Sequence, residues 1–224
     1  MVSLVDLPLF PLDVVLVQEM SLPLHIFEPR YREMVANCLA TDSRFGVLLE
    51  PSRHGGAEMP AAPVEVGTVA EIMETSRLND GRMNIVAEGR QRFRVRERRF
   101  DRSYLHAEVE ILEEPVGDEQ SAPQLAAHCS NSIRQYIQLL LKQIDQEPLE
   151  VDLPTTPVDL SYRLASIIQQ LQPSSLASLQ TVLEAETAEV RLQLELSIIQ
   201  REYAILERMA GFGAAKNRPY TNLN

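Results

Sequence analysis

The stretch Glu114-Pro115-Val116-Gly117-Asp118 divides the chain into two kinds of sequence. On its N-terminal side, short apolar runs are separated by glycine, proline and Asx residues, the pattern of a β-rich domain. RFGVLLEP (44–51), VEVGTVAEIM (64–73), RMNIVAEG (82–89), RQRFRVRER (90–98) and YLHAEVEIL (104–112) each read as a strand. Asn79-Asp80-Gly81 signals a hairpin turn, because Gly and Asx tolerate the positive φ such turns require. One helix interrupts this region. Glu28-Pro29 opens it, with proline at the first-turn position where a missing N–H costs nothing, and Tyr31, Met34, Val35 and Leu39 follow at helical spacing.

On the C-terminal side the strand signals stop. SAPQLAAHCSNSIRQYIQLLLKQI (121–144) carries a helical apolar stripe. Thr156-Pro157-Val158-Asp159 starts a second helix over 157–171: Thr caps, Pro stands first and Asp sits near the positive end of the helix dipole. A shorter helix follows Pro173 to about 184, and a long one runs from near Thr187 to a stop at Gly211. In that last helix Val190, Leu194, Leu196, Ile198, Ile199, Tyr203, Leu206 and Met209 are the expected core positions. Strands followed by helices argue for α+β architecture in two subdomains.

The formal net charge of −11 disfavours nucleic acid as a general partner, because such a surface repels phosphate. Cys38 and Cys129 form no C-x-x-C pair and fit buried thiols in a reducing compartment. The apolar N-terminus carries Asp6 and Asp13 and no early basic residue, unlike a signal peptide. With no uninterrupted apolar run near the roughly 18 residues of a membrane span, the expectation is a cytoplasmic protein.

Several chemistries lack their residues. The two lysines, Lys142 and Lys216, follow no glycine-rich phosphate loop and suit no serine–lysine dyad. His25, His54, His106 and His128 show no metal-ligand spacing, so neither metal nor cofactor is expected. Carboxylates are too many for any pair to be singled out as catalytic.

The sharpest cluster is RQRFRVRER (90–98). Strand alternation puts Arg90, Arg92, Arg94, Arg96 and Arg98 on one face, with Phe93 and Val95 on the other. Such a strip suits phosphate, RNA or acidic peptide. The plainer reading pairs it across the sheet with Glu108, Glu110 and Glu114. Residues 1–115 carry 13 basic and 19 acidic side chains, so the domain stays acidic around the strip.

LPLFPL (7–12), LPLHIFEPRYREMV (22–35), VGTVAEI (66–72) and DGRMNIVAEGRQRFRV (80–95) occur in series, and LSYRLASIIQQL (160–171) follows. In this order and spacing they resemble the N-terminal domain of the Lon ATP-dependent protease. The resemblance implies an N-terminal PUA-like β-barrel with one inserted helix (1–116), a C-terminal α-helical bundle (117–212) and a tail (213–224). It also implies a role in recognising substrate polypeptide. The family's connecting helices and ATPase module would follow where this chain stops, so a stand-alone, non-enzymatic protein is expected.

The expected ligand is an unfolded or degron-like polypeptide, held by apolar contacts and by β-augmentation at an open barrel edge. A separately encoded protease or chaperone is a further candidate partner. Arg30, Tyr31 and Arg32 are candidate contacts, since tyrosine and arginine are enriched where proteins hold partners. Glu28 and Arg32 are read as an i, i+4 pair on the same helix. The loop PSRHGGAEMPAAP (51–63) adds Met59 as an adaptable apolar contact. RNA binding through the arginine strip is the rival reading, and an unrecognised hydrolase ranks last.

Overall fold

A computed structural model describes residues 4–50, 64–172 and 176–216, with side chains to residue 209. The loop 51–63, and Met59 with it, lies outside the described residues. The chain forms β1 (Leu4–Leu12), β2 (Ser21–Ile26), α1 (Pro29–Leu39), β3 (Arg44–Leu49), β4 (Val66–Arg77), β5 (Met83–Arg99) and β6 (His106–Ile111). Helices α2 (Ser121–Gln143), α3 (Pro157–Leu171), α4 (Leu176–Glu184) and α5 (Ala188–Lys216) follow, the α+β order expected.

The strands close on themselves. β1 pairs β3 in parallel and β6 antiparallel, β3 pairs β4, β4 pairs β5, and β5 returns to β6. β2 joins from outside, antiparallel to the first half of β5. β1 is absent from the five runs read as strands because Pro8 and Pro11 interrupt its sequence signal. The runs 82–89 and 90–98 are one 17-residue strand: Gly89, read as a boundary, stays extended and lets the Val17 carbonyl approach closely. The turn at 79–81 forms as expected, with Gly81 at φ +82° and its N–H donating to the Leu78 carbonyl.

Two compact units result, residues 1–114 with 165–185, and 115–164 with 186–224. The first division falls between Glu114 and Pro115. The second half of α3 and α4, however, belong with the barrel rather than with the other helices. Gln180 Nε2 donates to the Val66 carbonyl at 3.0 Å, and Leu179, Val182 and Leu183 are buried. Phe93, Leu9 and Val109 fill the barrel, while Tyr31, Met34, Val35 and Cys38 of α1 pack with Phe10, Phe45 and Val47 in a core on the other face of the strands.

In the second unit α2 packs on α5. The expected cap at Thr156 is present, its Oγ1 accepting from the Asp159 N–H, and Thr187 Oγ1 accepts in the same way from the Val190 N–H. Asp118 caps α2 by accepting from the Gln120 and Ser121 N–H groups, which hold its carboxyl below the usual range. α5 does not stop at Gly211 but continues to Lys216. A glycine inside a helix costs only about 1 kcal/mol and ends it only where a left-handed cap forms.

The core stripe of α5 also differs from the expected one. Ala188, Arg191, Leu192, Glu195, Ile198 and Ile199 are buried, while Val190 and Met209 are exposed. Arg191 lies over the Tyr162 ring and donates to Ser161 Oγ at 3.0 Å. Burial holds the Glu195 carboxyl well above its usual range, opposed by the nearby Arg191 charge. Both cysteines are free and buried, and burial pushes their thiols up to about 12, which leaves neither reactive.

Candidate polypeptide-binding site

The first turn of α1 places the candidate contacts. Glu28 stays extended as the N-cap, and Pro29 then directs Arg30, Tyr31 and Arg32 to different sides of the turn. Because Glu28 precedes the helix, its carboxylate pairs with Arg30 at 2.9 Å and not with Arg32, as an i, i+4 rule would have it.

Tyr31 is not an exposed contact. Only 9% of it is accessible, its ring stacks on Phe10 at 4.1 Å between centroids, and burial raises its hydroxyl pKa. Arg30 covers the other side of that ring at 4.5 Å. The two residues contribute to a groove of about 290 Å³ completed by Pro11, Glu50, Phe100 and Arg102. Phe100, on the loop after β5, is 77% exposed. The loop is fixed from behind: Tyr104 is buried and its hydroxyl accepts from Asn37 Nδ2 at 3.0 Å, while Ser103 Oγ donates to Glu33 at 2.9 Å. His106 stiffens the base, its ring nitrogens 3.0 Å and 2.6 Å from the Asp6 and Asp101 carboxylates. Sequence reasoning missed Phe100, although a lone aromatic in the charged run Arg98-Arg99-Phe100-Asp101-Arg102 at a strand end is a usable signal.

Arg32 belongs to a second groove, of about 480 Å³, between α1 and the β4–β5 hairpin. Pro29, Glu33 and Ala36 line one wall, Arg77 and Met83 the other. The guanidinium of Arg32 rests on the hairpin turn, where a Cβ at Gly81 would lie 2.3 Å from Nη2. The three candidate contacts therefore divide between two grooves on either side of one helical turn.

The arginine strand is mostly committed to the protein itself. Arg90 donates to Glu71 at 2.7 Å and also to Glu88. Arg92, expected at the surface, is only 2% exposed because α4 covers that face of β5. It binds Glu114 at 2.8 Å and the carbonyls of Leu183 and Ala185 at 2.7 Å and 2.6 Å. Arg96 pairs with Glu110, and Arg94 is directly opposite Glu110 in register. A register shift between Val95 and Glu97 breaks the simple alternation. Arg99 rather than Arg98 then meets Glu108, at 3.5 Å, while Arg98 donates to the Val64 carbonyl at 2.8 Å. Phe93 and Val95 are buried on the inner face as expected.

Among the described residues no cluster of three or more His, Cys, Asp and Glu is placed to hold a metal, and no helix is long and apolar enough to cross a membrane.

Comparison with known proteins adds a family to this geometry. The family model for the ATP-dependent protease La (LON) substrate-binding domain matches residues 6–201. Lon protease of Escherichia coli K12 is 30% identical over 208 residues, 91% of this chain and 26% of that protein. Lon protease of Vibrio parahaemolyticus is 29% identical over 208 residues, so the chain spans about a quarter of the length of these relatives. Among solved structures, a Lon N-terminal domain protein from Xanthomonas campestris matches with a TM-score of 0.58 at 26% identity, over 86% of this chain and 98% of that one. The N-terminal domain of Mycobacterium avium complex Lon protease shares the fold, with a TM-score of 0.62 at 15% identity over 87% of this chain and 98% of that one.

Proposed function

Because the chain belongs to the family of the ATP-dependent protease La (Lon) substrate-binding domain, we propose that it is a non-catalytic module that captures exposed polypeptide segments beside the first turn of α1. The observation that carries this reading is Phe100, a large aromatic 77% exposed at the rim of a groove that is also lined by Tyr31, whose ring stacks on the buried Phe10. Solvating such a ring is unfavourable, and an apolar side chain from a partner would remove it from water. Arg30 and Arg102, with Glu50, give the same groove polar groups for the partner's backbone. This chemistry suits unfolded or degron-like segments, which expose apolar side chains and unpaired backbone together. Handing the captured segment to a protease or chaperone, an adaptor role in protein quality control, completes the proposal.

Fluorescence anisotropy of a labelled, permanently unfolded polypeptide tests it. Replacing Phe100 by Ser together with Arg30 by Ala should weaken binding about tenfold or more, the scale of a lost hot spot of about 1.4 kcal/mol or more. Both side chains are exposed, so the urea unfolding midpoint should stay in place. Unchanged affinity in this double variant would remove the groove from the account.

A further inference from the structure

Among the described residues the barrel leaves several stretches of strand edge unpaired, and the two that flank the first half of β5 are not equivalent. In the β2–β5 register Met20 stands opposite Gly89, whose N–H donates to the Met20 carbonyl at 3.0 Å. Backbone groups alternate along a strand, so Leu22, Leu24 and Ile26 face β5, and Ser21, Pro23 and His25 face outward. Pro23 has no N–H, and the middle of that edge lacks a donor. This is a recognised way of blunting an edge.

The other edge belongs to β4 beyond its pairing with β3. The Leu78 N–H donates to the Arg82 carbonyl at 2.8 Å, and the register continues through Ser76 opposite Asn84 and Glu74 opposite Val86. Glu74 and Ser76 therefore face β5, while the N–H and C=O groups of Thr75 and Arg77 point away from the sheet. The Ile72 N–H, bonded to the Ser43 carbonyl at 2.8 Å, marks where cover by the β3 end stops. Met73, Glu74, Thr75, Ser76 and Arg77 are all exposed, and the segment contains no proline.

Arg77 also lines the groove that holds Arg32. Two guanidinium groups against the single Glu33 carboxylate make this groove locally basic, in a chain of formal charge −11. The edge thus offers backbone groups at strand spacing, ending at a site suited to a carboxylate.

We propose that an extended, proline-poor polypeptide segment adds to the outer edge of β4 at Thr75 and Arg77, with an acidic side chain directed to Arg77 and Arg32. The inference rests on the polypeptide-capture reading and adds a main-chain mode of binding at the Arg32 groove, on the other side of the α1 turn from Phe100. Main-chain hydrogen bonds tolerate most side chains, which is what a binder of many unfolded sequences requires.

The probe is a labelled ten-residue peptide of alternating threonine and valine with two glutamates at one end. N-methylation of one alternating set of its amides should weaken binding about tenfold, and methylation of the other set should leave it nearly unchanged, because two lost hydrogen bonds are together worth about 1–3 kcal/mol. Bound peptide should slow amide hydrogen exchange at Thr75 and Arg77. Thr75→Pro, which removes the first of these amides, should abolish protection at Arg77, and exchanging the two glutamates for lysines should weaken binding. The exchange measurement uses the unaltered protein and does not depend on how the proline variant folds. Equal tolerance of both methylated sets, no detectable binding, or protection only as the protein self-associates would each overturn the proposal. Peptide binding that disappears with the Phe100 and Arg30 substitutions but leaves Thr75 and Arg77 unprotected would overturn this mode while sparing the capture reading.

Discussion

Replacing Arg92 by Met should lower the stability of the barrel unit by about 3–5 kcal/mol, the cost of breaking one side of a buried ion pair. Arg92 joins three parts of the unit. Its Nε donates to Glu114 at 2.8 Å, and Nη1 donates to the carbonyls of Leu183 and Ala185 at the C-terminal end of α4. These carbonyls have no further helical turn to bond them and carry the negative end of the helix dipole, so a cation there is favoured twice over. Methionine restores the volume but leaves acceptors buried without their donor. Lysine restores the charge but not the fork that reaches several acceptors at once, and should recover only part of the loss. Arg90→Met, two residues away across a register shift in β5, should cost under about 1 kcal/mol, because its pairs with Glu71 and Glu88 are about one-third exposed. Urea unfolding, read by midpoint at constant slope, separates the two cases. Equal losses at both positions would mean that the buried contacts of Arg92 are not what holds α4 to β5.

The second large effect is expected at Gly89. A Cβ there would lie 2.0 Å from the Val17 carbonyl oxygen and 2.9 Å from its carbon. The obstruction is backbone, held in place by the Glu19 N–H donating to the Gly89 carbonyl at 2.8 Å and the Gly89 N–H donating to that of Met20. No rotamer change relieves such a contact. Gly89→Ala should therefore destabilise by about 3 kcal/mol, the upper range for overpacking, and should speed hydrogen exchange of the Glu19 amide. Alanine accepted with no change in midpoint would show that the Val17–Met20 loop is held elsewhere.

Much of this architecture was legible because local chemistry and fold agree. Pro29 after Glu28, Thr156 before Pro157, and Asn79-Asp80-Gly81 each announce a boundary through the backbone groups they satisfy or the φ they allow. The pairing of Glu110 and Glu114 with the arginine strand was legible from alternation alone. What alternation could not reveal is the register shift beyond Val95, which hands Glu108 to Arg99. Nor could it reveal that a helix 90 residues away in sequence would bury Arg92. The core stripe of α5 was obscured because Arg191 and Glu195 occupy two of its positions, and periodicity of apolar residues is blind to buried charge. At the candidate site, Arg30 and Arg32 could be nominated by residue type. Tyr31 was misjudged as exposed because its partner Phe10 lies on a strand interrupted by prolines.

The central claim is capture of non-native polypeptide, and its most direct test titrates the protein against a labelled unfolded polypeptide and a labelled RNA at low and moderate salt. The account predicts saturable binding of the unfolded polypeptide at both salt concentrations, because apolar contacts and backbone hydrogen bonds are little screened, together with negligible RNA binding. Binding of RNA alone, falling steeply as salt rises, would contradict it and return the function to the arginine strand.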